Sequence, residues 1–266
     1  MPNALVIRAA GTNCDTEMVR AFTLAGAPCD RIHLDRLIAD PAHLDRYDLI
    51  GFPGGFSYGD DIASGRVFAV RVREKLLEPL RAAVARGACI IGACNGFQVL
   101  TQVGLLPGGN AQPVALADNT GNRFIDQWVR VQPVRESVCV WTRGLTGAPD
   151  DTMTLPIAHG EGRFVASSPS AIHDLEARGQ IALRYTDNVN GSTDAIAGIC
   201  DPTGRVFGLM PHPERYLDWN RHPFFARLSP EITTGDTPGL RMFKNAVESV
   251  SATNASTRPT TAPLCS

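Results

Sequence analysis

The chain has 266 residues, a formal net charge of −2, 44% hydrophobic residues and 20% charged ones. These proportions exclude a chain disordered throughout, which needs low hydrophobicity and high net charge. No basic excess favours nucleic acid as a partner, and a prior of roughly 150 residues per domain leaves one large domain or two small ones open.

Ala4-Leu5-Val6-Ile7-Arg8 is a short β-branched run that predicts a buried strand. Asn13 or Asp15 can cap a helix that runs to about Ala25, with Met18, Phe22 and Ala25 at helical spacing and Gly26 to end it. Cys29 to Leu34 and Tyr47 to Phe52 predict two further strands. Val72, Leu76, Leu80 and Val84 recur every fourth residue and predict one amphipathic helix ended by Gly87. Ala88 to Gly92 predicts a fourth strand, followed by a helix to about Val103. Strands alternating with helices imply a parallel sheet covered on both faces, with ligands beyond the carboxyl ends of its strands. The Gly-rich segments 53–59 and 92–96 fall at such ends.

From about Phe124 to Phe164 the pattern changes. Phe124 to Val134 and Ser137 to Trp141 predict antiparallel strands added to the sheet. Ala171 to Arg178 predicts a short helix, and Gln180 to Tyr185, Ala195 to Cys200 and Arg205 to Met210 three more strands. Leu240 to Val250 is a last helix, and the Ser-, Thr-, Ala- and Pro-rich stretch 251–266 reads as a disordered tail.

The seven cysteines are odd in number and none forms a CxxC pair, which argues against a disulfide framework and a zinc site. The N-terminus lacks the charge order and length of a signal peptide, and no run approaches the roughly 18 apolar residues of a membrane span. A soluble protein of a reducing compartment, the cytoplasm, is expected.

Gly92-Ala93-Cys94-Asn95-Gly96 between strand and helix is the thiol form of a nucleophile elbow. The small neighbours permit a sharp turn, and the amide dipoles of the following helix favour a thiolate. In Met210-Pro211-His212-Pro213-Glu214-Arg215, Pro213 pushes His212 toward an extended conformation. In an extended chain His212 and Glu214 share a side, so the carboxylate can hold one imidazole nitrogen and leave the other to take a thiol proton. Phe52-Pro53-Gly54-Gly55-Phe56-Ser57-Tyr58-Gly59-Asp60 is neither a P-loop nor G-x-G-x-x-G, but its glycines can expose backbone N–H groups to an oxyanion. Gly55 and Asn95 are the candidate donors, the second following the nucleophile. Asp60 and Asp61 read as a solvated loop rather than a metal pair, and no metal is expected. His33, His43, His173 and His222 have no partner pattern, whereas His159 lies in a dense polar, Gly-rich stretch that suits a pocket.

These strings occur in order with Gly104-Leu105-Leu106-Pro107-Gly108 and Ala158-His159-Gly160-Glu161-Gly162-Arg163. Together they resemble the class I (triad) glutamine amidotransferases, and within them the family of glutaminase subunits of phosphoribosylformylglycinamidine synthase, of purine biosynthesis. The resemblance runs from about residue 4 to 216 and resumes at Pro238 to Val247. It implies a flavodoxin-like three-layer α/β/α sandwich with a mostly parallel central sheet, one amidotransferase domain over residues 1–250. It implies Cys94 as nucleophile, His212 as general base and acid, Glu214 as its orienter, and Gly55 and Asn95 as the oxyanion hole. Gln98 and the stretch with His159, Gly160 and Gly162 correspond to the glutamine-binding pocket. The resemblance further implies no cofactor in this chain. Its partners would be a synthetase subunit carrying ATP and Mg and, where that subunit is short, a small accessory subunit. Departures fall at Ala9-Ala10-Gly11, at Val189 and in a longer 217–237 segment, none of them in the triad.

The alternatives are a glutaminase serving another ammonia acceptor, a protease- or chaperone-like cysteine hydrolase on a similar sheet, and a scaffold subunit without activity. The hydrolases place His beside the nucleophile, whereas Asn95 follows Cys94 here; a scaffold would be expected to lose a triad residue.

Overall fold

The computed structural model describes residues 1–109 and 112–257. In chain order the elements are β1 (Ala4–Arg8), α1 (Asp15–Leu24), β2 (Cys29–His33), α2 (Leu34–Ala39), β3 (Leu49–Phe52), α3 (Arg66–Lys75), α4 (Leu77–Ala85), β4 (Cys89–Ala93), α5 (Asn95–Val103), β5 (Val114–Ala117) and β6 (Ile125–Pro133). They continue with β7 (Thr154–His159), β8 (Arg163–Ala166), α6 (Pro169–Ala177), β9 (Ile181–Tyr185), β10 (Ile196–Cys200), β11 (Val206–Leu209) and α7 (Pro238–Thr257). A nine-stranded sheet runs β2-β1-β3-β4-β11-β10-β9-β6-β7, and β5 pairs with β8 in a separate ribbon. Pairing is parallel from β2 through β11. It turns antiparallel from β11 outward.

Alternation along the strands builds the three layers. Ala4 and Val6 of β1 and Cys89, Ile91 and Ala93 of β4 enter one core with Met18, Phe22, Trp141 and Phe243. Leu5, Ile7 and Ile90 point the other way, into a core with Phe68, Val72, Leu80, Phe97 and Leu100. Both faces of each central strand are therefore buried, as a period of two requires when helices cover both sides.

Four expectations change. The helix expected through Val72 and Val84 is two helices broken at Leu76. Pro79 has no N–H to donate and fits only the first turn of a helix, so a new one starts at Leu77. The antiparallel strand expected at 137–141 does not form. Val138 and Val140 donate to the carbonyls of Gly179 and Gly204, and Trp141 Nε1 to that of Arg205. Its apolar pattern reflects burial of an irregular segment. Neither Asn13 nor Asp15 caps α1; the cap position is Cys14. Finally, α7 continues to Thr257. Thr253 approaches Gly87, and Asn254 donates to Asp48 Oδ1 at 3.2 Å. The rest of the expected tail, 258–266, lies outside the described residues. Among those described, no helix is long and apolar enough to cross a membrane.

In the parallel half, α5 packs close against β3 at Gly96. A Cβ placed on Gly96 would stand 1.9 Å from the carbonyl oxygen of Phe52. Backbone cannot yield as a side-chain tip can, so Gly96→Ala should destabilise the fold by about 3 kcal/mol, read from the midpoint of urea unfolding at unchanged m-value.

Candidate active site

Register explains why residues so far apart in sequence meet. Gly92 of β4 is paired with Phe52 of β3 on one side and Gly208 of β11 on the other. The chain leaves each strand at the same sheet edge, delivering Gly55, Cys94 and His212 to one place. Cys94 follows β4 at φ 52° and ψ −108°. That positive φ is costly for a residue with a side chain and is the elbow the sequence implied. Its backbone N–H donates to Leu209 O at 2.8 Å, and its 6% exposed side chain donates from Sγ to Ala158 O at 3.6 Å.

His212 and Glu214 are each 1% exposed, and Nδ1 of His212 lies 2.6 Å from Glu214 Oε1. The pair meets for a different reason than expected. Pro213–Arg215 is a 3₁₀ turn rather than an extended segment, and it folds Glu214 back beneath the ring. Among the described residues the His212 Nε2 has no hydrogen-bond partner, so it is available to take a proton. Burial pushes the imidazole pKa down, but the charges of Glu214 and Cys94 and the sulfur of Cys14 outweigh it and hold the pKa well above 6.5.

Gly55 sits at φ 137°, and a Cβ there would meet Asn13 N at 2.6 Å. Only glycine allows the loop to lie this close to residues 11–13, where Phe56 N donates to Gly11 O at 3.0 Å. The second candidate amide, that of Asn95, is the first of α5 and has no acceptor within the helix.

The Asn95 side chain ties the surrounding loops together. Ser57 Oγ donates to Asn95 Oδ1 at 2.6 Å, and Asn95 Nδ2 donates to Gln98 Oε1 at 3.1 Å and Asp60 Oδ1 at 3.3 Å. Gln98 Nε2 in turn donates to the carbonyl of Glu161. Asp60 is thus not the solvated residue expected: it also accepts from Ser64 Oγ at 3.0 Å, and burial raises its pKa. Asp61 is exposed.

His159 ends β7 and is buried, its Nδ1 3.1 Å from Asn119 Oδ1. Gly162 presses on the ring, since a Cβ there would lie 2.1 Å from Nδ1. Asn119 also bonds the carbonyl of His159 and the N–H of Gly162, and its own N–H reaches Gly160 O. Glu161 O meets Gln98 and the preceding Ala158 O meets Cys94, and the 159–162 turn is shaped around Asn119, one of several polar residues in the 118–123 loop. The sequence reading also missed Cys14, whose Sγ accepts from Arg215 Nη2 at 3.0 Å. Cys29 and Cys89 are inert by contrast, their thiols pushed up to about 12 chiefly by burial.

A family model described as a CobB/CobQ-like glutamine amidotransferase domain matches residues 1–250. The chain is 42% identical over 272 residues to phosphoribosylformylglycinamidine synthase subunit PurQ of Methanococcus maripaludis, covering 93% of this chain and 97% of that protein. It is 40% identical over 252 residues to the protein of the same name from Dehalococcoides mccartyi, covering 92% and 96%. Among solved structures it superposes on a chain of PurLQS from Thermotoga maritima with a TM-score of 0.70 and 35% identity, covering 93% of this chain and 98% of that one.

Burial, with the His212 charge second, lowers the His159 pKa from 6.5 to about 4. The unfolded chain therefore binds the additional proton between those values, and acid removes stability across that window. His159→Gln should lose less unfolding free energy than the native chain between pH 7 and about pH 4.5, and the His159 ring resonances should titrate near the lower value.

Proposed function

The chain belongs to the CobB/CobQ-like glutamine amidotransferase family, and we propose that it is the glutaminase subunit of a phosphoribosylformylglycinamidine synthase. The observation that carries the chemistry is the buried His212–Glu214 pair, 2.6 Å apart, beside a cysteine on a positive-φ elbow. In this reading the Cys94 thiol gives its proton to His212 Nε2, and Sγ attacks the side-chain amide carbon of glutamine. The oxyanion rests on the amides of Gly55 and Asn95, donors fixed before substrate arrives. His212 returns the proton to the departing nitrogen, so ammonia leaves and a γ-glutamyl thioester remains. Water then gives a proton to His212 and adds to the thioester. Collapse releases glutamate and returns the proton to the sulfur. Glu214 keeps the imidazole in one tautomer throughout. Gln98, with the turn of His159, Gly160 and Gly162, forms the wall that receives the glutamine.

Free ammonia is protonated at neutral pH and lost as a nucleophile, so its release is useful only beside an acceptor. The partner is the synthetase subunit, with a small accessory subunit where the synthetase is short. We assign ATP and Mg to that partner, where ammonia converts formylglycinamide ribonucleotide to the amidine. The protein's place is the cytoplasm, whose reducing poise keeps a nucleophilic thiol intact. Phe56, beside the oxyanion glycine, is 46% exposed and stacks on the 53% exposed Phe124 at 6.2 Å between centroids. This apolar pair at the rim suits a site completed by another protein.

In the assembled complex, Cys94→Ala should abolish synthesis from glutamine and leave synthesis from ammonium chloride. Equal loss of both would remove Cys94 from the nucleophile's role. The isolated chain should hydrolyse glutamine slowly and accelerate when the synthetase subunit is added; a lone subunit as fast as the complex would contradict dependence on the partner.

A further inference from the structure

Cys14 is a sulfur beside the triad for which the chemistry above has no task. It stands at the N-terminal end of α1, 1% exposed, with its N–H on Gly54 O at 3.2 Å. Gly54 lies against both partners: a Cβ there would be 2.6 Å from His212 Cε1 and 3.3 Å from Cys14 Sγ. One donor atom each from Cys14, His212 and Glu214 falls within 4.8 Å of the others. The guanidinium of Arg215 donates to Cys14 Sγ at 3.0 Å and interacts with the charge of Glu214.

We infer that Cys14, clamped by Arg215, is a positioning residue that holds the His212 ring toward Cys94 and stabilises the imidazolium formed when the ring carries the thiol proton. The inference rests on the triad proposed above. Glu214 holds the ring at Nδ1, Gly54 offers it no side chain, and the Cys14 sulfur stands within 4.8 Å of a ring nitrogen. The charged and titratable groups around His212 come from several elements. Glu214 is on its own turn and Cys94 is at the end of β4. Cys14 starts α1, and His159, ending β7, is kept neutral by its low pKa. Arg215 is coupled to Cys14, Glu214 and Glu17, and Tyr185 of β9 is coupled to Cys94. Of these, Cys14 places its sulfur within 4.8 Å of a His212 ring nitrogen and accepts from the Arg215 guanidinium.

The test measures kcat and KM for glutamine against pH in the assembled complex for Cys14→Ala and Cys14→Ser, with ammonia-dependent synthesis and Tm recorded for each. Cys14→Ala should lower kcat about tenfold with KM little changed, as expected for a lost positioning contact. It should spare ammonia-dependent synthesis and move the His212-controlled limb of the kcat/KM profile toward lower pH. Cys14→Ser, whose hydroxyl still accepts from Arg215, should recover most of both. An unchanged profile and kcat in Cys14→Ala overturns the inference, as does a loss accompanied only by a lower Tm. If Cys14→Ala does not fold, Cys14→Val, which fills the space without an acceptor, must shift the same limb the same way, and an unshifted limb overturns the inference. Cys94→Ala run in parallel separates the layers: retained glutamine activity there removes the triad reading itself, whereas its loss beside unaffected Cys14 variants removes only the positioning role.

Discussion

The site depends on one pairing constraint: β4 is held in parallel register between β3 and β11, with Gly92 opposite both Phe52 and Gly208. Parallel pairing makes the carboxyl ends of the three strands emerge together. A slip of one residue would exchange the core faces of β4 and turn Cys94 away from its neighbours. The register is held by close contact as well as by hydrogen bonds. Cβ atoms at Gly92, Gly96 and Gly208 would collide with Gly96 backbone, Phe52 backbone and Phe97 respectively. The missing side chains let α5 sit close on the sheet, and this fixes where Cys94 stands.

On that frame the electrostatics are settled by competition. A buried imidazole favours its neutral form, and His159 behaves so because its partner, Asn119, is uncharged. His212 is buried as well, yet its partner is a carboxylate and the opposite form is favoured. The two histidines lie near enough to interact, and the neutrality of His159 avoids a second cation beside the imidazolium. Removing one member of a buried pair such as His212–Glu214 costs roughly 3–5 kcal/mol, so stability and the catalytic geometry are coupled at this point.

Much of this was legible in the sequence because it is local. The elbow, the Gly-Gly loop and the His-x-Glu string each announce themselves within a few residues, and alternating strands and helices bring them to one sheet edge. The misreadings share a cause as well. Ser137 to Trp141 carries a strand's composition because it is buried, but its hydrogen bonds go to Gly179, Gly204 and Arg205, which no local pattern encodes. The helix broken at Leu76 kept its apolar period across the break, and the proline that breaks it was outweighed by that period. Asp60 looked solvated because its partners, Asn95 and Ser64, become visible only once the loop folds back over α5.

Cysteine makes the same point more sharply. Burial is common to Cys14, Cys89, Cys94 and Cys200, so burial cannot be what selects a nucleophile. The neighbours differ. Cys89 lies inside β4, where desolvation pushes its thiol up to about 12 and leaves it inert. Cys94 stands just beyond the end of that strand, beside the His212 imidazole and at the start of a helix. Cys14 has a helix start and a guanidinium that comes from 201 residues away. The elbow motif in the sequence marks one thiol, Cys94. The fold instead sets two sulfurs around one imidazole, one on an elbow with two candidate oxyanion donors and the other held by an arginine, so their difference lies in what faces each sulfur.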